Sequence, residues 1–82
     1  MKRTDVFGLI SGERDHQNAL GHHSDGRDSV TAVAAWVVYM ETHIAKAKGY
    51  IYGGDERKAL AEVRKVAALA VACMEHNSTP PR

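Results

Sequence analysis

The chain has one cysteine, Cys73, so no disulfide can form within it. That thiol sits in the apolar run AALAVACM and reads as a buried group in a reducing compartment, not as a nucleophile. A glycine-rich phosphate loop, a nucleophile elbow and an HExxH helix are all missing, which removes the common motif-borne chemistries. Charge of one sign is also lacking. Eleven Lys and Arg against ten Asp and Glu leave a net charge of +1, which gives no electrostatic case for duplex DNA or an anionic membrane. The longest uncharged apolar runs, AVAAWVVYM and VAALAVACM, have nine residues each. A bilayer span needs about twice that. The opening MKRTDVFGLISGERD meets an arginine and acids too early for a secretory leader. These absences predict a soluble, cytoplasmic chain, and 82 residues make one small domain with a modest core.

No stretch alternates with period two and no segment repeats, so the expected fold is all-α. A short N-terminal helix should begin after Thr4 or Asp5, whose side chains can accept from free N–H groups of the first turn, and should stop at Gly21. GHHSDGRDS is polar and aperiodic and reads as a loop. Asp28 or Ser29 should cap a second helix from about Val30 to Lys48, with Gly49 as its stop and YIYGG as the connection. Asp55 should cap a third helix running to about His76, with Glu56 favourably placed near its positive end. One domain therefore covers residues 1–76, and residues 77–82, which hold both prolines, form a frayed, disordered tail.

Val30, Val33, Val37 and Ile44 share one stripe of the second helix, and Leu60, Val63, Ala67, Val71 and Met74 share one stripe of the third. Facing each other, they would close a long antiparallel hairpin. Trp36, Val38, Tyr39, Val66, Leu69 and Cys73 lie off these stripes, and one short helix cannot cover both flanks. The surplus apolar surface, above all Trp36, Val38 and Leu69, predicts a helical-bundle homo-oligomer.

Several polar residues stand out against this frame. Glu41 lies about 40° from the centre of the second helix's stripe, so it should look inward and need a cation, metal or donor; a structural ion pair is the plainer account. Ile10, Glu13, Arg14 and Gln17 share a face of the first helix that begins apolar and turns polar. Arg14 there is suited to a two-pronged grip on phosphate or carboxylate, although an Arg–Glu pair on a solvated face would serve as well. His16, His22, His23 and His43 lack the spacing of a closed zinc site. Tyr50 and Tyr52 could stack on a base but more commonly plug the end of a hairpin.

ISGERDHQ, WVVYMETHIAKA and LAEVRKVAALAVACMEH together resemble small phage proteins of the MazG-like type, relatives of the all-α nucleotide pyrophosphohydrolases. The resemblance covers about residues 10–76. It implies a fold whose active members hold Mg²⁺ through paired acids, ExxE on one helix and ExxD on the next, because Mg²⁺ takes oxygen ligands and bridges to substrate phosphates. Here Ile44 follows Glu41 and Lys65 follows Glu62 at that spacing, and His43 and Lys46 stand where related sequences carry further acids. The resemblance then implies a cation-rich site that binds nucleotide without metal and without cleaving it. Arg14, Gln17, Glu41, His43, Lys46 and Lys65 are its candidate residues, and sequestration of a nucleotide signal of host defence, in the cytoplasm of the infected host, is the implied role. Two alternatives remain open: a weakly active Mg²⁺-dependent pyrophosphohydrolase using Glu13, Glu41 and Glu62, and a helical protein–protein interaction module. On the helical wheel Lys46 lies opposite Val37, and Glu62 lies about 140° from the third helix's stripe, so both need a neighbouring helix or subunit to join a site.

Overall fold

The computed structural model describes residues 1–20 and 31–82. Three helices, α1 (Arg3–Leu20), α2 (Val33–Tyr52) and α3 (Glu56–His76), carry the structure, and there is no strand among the described residues. Among these residues no helix is long and apolar enough to cross a membrane. The expected loop GHHSDGRDS, its histidines His22 and His23, the stop at Gly21, the Asp28 or Ser29 cap and Val30 all lie outside the described residues.

The connection between α2 and α3 departs from expectation at one point. Gly49 does not end α2, which continues for most of another turn to Tyr52. The stop comes at Gly54, whose φ of 79° lies in the left-handed region open to glycine. Gly54 N–H donates to Ile51 O at 3.1 Å and Asp55 N–H donates to Tyr50 O at 2.8 Å. This pair of bonds closes a helix end only where the backbone turns left-handed. Gly49 makes no such turn, so it is simply a weak helix residue carried by its neighbours. Asp55 then caps α3 as expected, its Oδ1 accepting from the Lys58 N–H at 3.0 Å. Above the turn, the Lys58 ammonium lies 5.7 Å from the centre of the Tyr50 ring, while Tyr52 is largely exposed. At the start of α1, Lys2 O accepts from Asp5 N–H and Val6 N–H, so the helix begins before Thr4.

The apolar stripes are not where helical periodicity placed them. The core is Trp36, Leu69 and Ala72, with Tyr39, Met40 and Cys73 packed round it. Trp36 and Tyr39 meet edge to face with ring centres 6.0 Å apart. On α2 the inward face is Trp36, Met40, His43, Ala47 and Tyr50; Val33, Val37 and Ile44 are about half exposed. On α3 the inward face includes Ala59, Glu62, Leu69 and Ala72, and Leu60, Val63 and Met74 face outward. Side-chain size explains the choice. Alanines at positions 47, 59, 68 and 72 let the backbones approach closely, and that approach fully buries one large ring, Trp36. A Val–Leu–Met seam would hold the helices further apart and leave the indole in water.

Trp36 and Leu69 are therefore interior residues of one chain, 0% exposed, and cannot form a surface between copies. Of the three residues expected there, only Val38 is available, at 57% exposure.

Candidate functional site

Three polar residues of α1 point inward. Glu13, Arg14 and Gln17 are all buried, following the half-buried Ile10 on the same face. α3 receives them. Arg64 Nε donates to Glu13 Oε1 at 2.8 Å, Arg14 Nε lies 3.4 Å from Glu75 Oε1, and Gln17 Nε2 donates weakly to Lys65 O at 3.4 Å. Glu75 lies eleven residues beyond Arg64 along α3, about 16 Å at the rise of an α-helix. The neighbouring side chains Glu13 and Arg14 therefore splay in opposite directions over α3 and clamp α1 to it with charge.

A second polar cluster joins α2 to α3. His43 Nδ1 lies 2.7 Å from Glu62 Oε2, and Lys65 Nζ donates to Glu62 Oε1 at 3.3 Å. Glu62 is 5% exposed and sits on the inward face, which corrects the expectation that it lies far from the core. Burial alone would raise its carboxyl pKa, but the hydrogen bonds and charges of His43 and Lys65 outweigh that and hold it below its ordinary value. A carboxylate is kept charged inside the molecule because both its oxygens are occupied.

Glu41 behaves in the opposite way. It is exposed, not inward, because the face that α2 turns to α3 is centred on Trp36 and His43. Glu41 lies roughly 150° round the helix from that face. Lys46 is exposed as well. Of the candidate binding residues, Arg14 and Gln17 meet α3, His43 and Lys65 meet at Glu62, and Glu41 and Lys46 stand apart in water. Glu75 and Arg64, which complete the α1–α3 clamp, were not singled out from the sequence. Glu75 carried a signal of its own, since a Glu in the last turn of a helix is poorly placed without a partner; Arg64 carried none.

α1 and α3 leave a groove of about 460 Å³ lined by Phe7, Ile10, Ser11, Arg14, Val71 and Glu75, with Asp15 and Asn18 completing it. Phe7, Ile10 and Val71 give it apolar surface, and the buried Arg14 stands among a hydroxyl, an amide and two acids. That combination can hold a flat or aliphatic group against Phe7, Ile10 and Val71 while the arginine meets an anion.

The acids implied for Mg²⁺ do not make one ligand set here. Glu13 is held by Arg64, Glu62 by His43 and Lys65, and Glu41 faces solvent. Among the described residues, no group of three or more His, Cys, Asp or Glu side chains is placed to hold a metal ion. No protein-family model, curated protein or solved structure matches the chain.

Proposed function

We propose that this chain is a nucleotide-binding protein of the MazG-like phage type that holds a phosphate-bearing nucleotide intact, and so withdraws it, as a host defence signal would need to be withdrawn. The observation that carries the reading is Arg14. It is buried, 6% exposed, and lines a groove together with the apolar side chains Phe7, Ile10 and Val71. Arginine is costly to bury, and its planar fork matches phosphate oxygens. The second polar cluster supports the same reading, since Lys65 and His43 occupy Glu62, the acid that an Mg²⁺-dependent hydrolase would need open. Purified protein incubated with a nucleotide pool and then denatured should release an unaltered nucleotide. In calorimetry with linear and cyclic nucleotides, binding should persist in EDTA and weaken at least tenfold in Arg14→Ala. That factor corresponds to the loss of one charge-assisted contact of about 1.5–3 kcal/mol. Metal-dependent pyrophosphate release at ordinary enzymatic turnover would decide for the hydrolase instead.

The exposed apolar face supports a companion proposal, that the antiparallel hairpin of α2 and α3 assembles with further copies. Val33, Val37, Ile44, Ile51, Leu60 and Val63 are each about half exposed or more. A groove lined by Ile44, Ala47, Ile51, Ala59, Leu60 and Val63 runs between the two helices. If no nucleotide binds, this face makes a helical interaction module the better account.

A further inference from the structure

We propose that Glu75 is a built-in occupant of the anion position at Arg14, a carboxylate latch that an incoming phosphate displaces. The inference rests on the nucleotide-binding reading above and adds its regulation.

The two arginine–glutamate pairs between α1 and α3 are built with opposite polarity. In one, the acid Glu13 is buried at 8% side-chain exposure and the cation Arg64 is open at 43%. In the other, the cation Arg14 is buried at 8% and the acid Glu75 is open at 43%. A buried group cannot leave its place without losing its packing, whereas an exposed one can rotate into water at small cost. The first pair therefore presents a fixed anion with a movable cation, and the second a fixed cation with a movable anion. A ligand bearing phosphate competes for the second kind of place.

Four further features fit this role. The Arg14–Glu75 separation of 3.4 Å is longer than the 2.8 Å of the Arg64–Glu13 bond, so the movable acid is held more loosely. Glu75 stands in the last turn of α3, where the partial negative charge of the helix end repels a carboxylate. That turn is closed separately by Asn77 Nδ2 donating to Cys73 O at 2.9 Å, so releasing Glu75 leaves the helix end in place. Finally, Glu75 and Arg14 line the same groove as Phe7, Ile10 and Val71, so a ligand seated there meets both. A weakly charged ligand would not displace the carboxylate, so the latch selects for multiply charged anions over singly charged ones.

The test compares the parent protein with Glu75→Gln and Arg14→Ala, titrating sodium pyrophosphate and ATP in EDTA at fixed ionic strength. Far-UV dichroism and the emission of Trp36 confirm that each variant is folded. Glu75→Gln keeps the shape of the side chain but removes its charge, and it should bind both anions at least tenfold more tightly than the parent. Arg14→Ala should lose binding of both; if it does not fold, Arg14→Lys, which keeps the charge and loses the fork, should weaken binding and replaces it. Parent binding that depends on Arg14 but is unchanged or weakened in Glu75→Gln would overturn the latch and leave the site standing. No binding of either anion by either the parent or Glu75→Gln would overturn the site and the latch together.

Discussion

Glu41 and Glu62 make the most direct test of the structure, because helical periodicity and tertiary packing assign them opposite environments. Replacing Glu62 with Ala removes the 2.7 Å contact with His43 and the 3.3 Å contact with Lys65. The first is short and buried on the glutamate side, and a charge-assisted bond of that kind contributes about 1.5–3 kcal/mol. The second joins residues three apart on one helix, with the lysine side chain 37% exposed, and adds at most about 0.5 kcal/mol. The improved helix propensity of Ala returns a few tenths of a kcal/mol. The net loss should be about 2–3 kcal/mol, which lowers a urea midpoint by roughly 2–3 M at a slope near 1 kcal/mol per molar. Glu41→Ala removes an exposed side chain that pairs with nothing among the described residues. It should change stability by no more than about 0.5 kcal/mol. Trp36 is the only tryptophan and is fully buried, so its emission reports unfolding directly. The comparison requires one protein concentration throughout, since self-association would add to apparent stability. A Glu41→Ala loss equal to or larger than that of Glu62→Ala would refute the assignment of the inward faces.

Acid should act through the same cluster. The folded carboxyl of Glu62 titrates below its ordinary value of 4.5, so its stabilising contribution is complete above that value and disappears as pH falls through the lowered one. Urea midpoints measured from pH 6 down to pH 3 should therefore fall less steeply for Glu62→Gln than for the parent; equal slopes would contradict the pairing. Leu69→Asp places an unpaired charge against Trp36 and Ala72 and should abolish the folded dichroism signal, not merely separate subunits. Val63→Asp, on the outward face, should keep that signal and reduce the sedimenting mass, and a parent that sediments as a 9 kDa monomer at micromolar concentration would remove the assembly proposal.

Among the described residues, sequence alone determined the elements: three helices, no strand, the Asp55 cap and the end of α3 at His76. These depend on local chemistry, on capping side chains and on the period of apolar residues, which act within a few residues of chain. The face Ile10, Glu13, Arg14 and Gln17 was equally legible, because only four positions at helical spacing were needed to see it. Tertiary structure decided which side of each long helix is inside. α2 and α3 are apolar over more than one face, so periodicity favoured the bulky Val–Ile and Leu–Val–Met stripes. Close approach instead selected the side bearing alanines and the single tryptophan. That choice turned Glu62 inward and Glu41 outward, and it reversed the partners expected for both. It also supplied Arg64 and Glu75, whose partners on α1 lie 51 and 61 residues away in the chain. No local pattern can register a contact of that separation, because it exists only once α1 has been laid across α3.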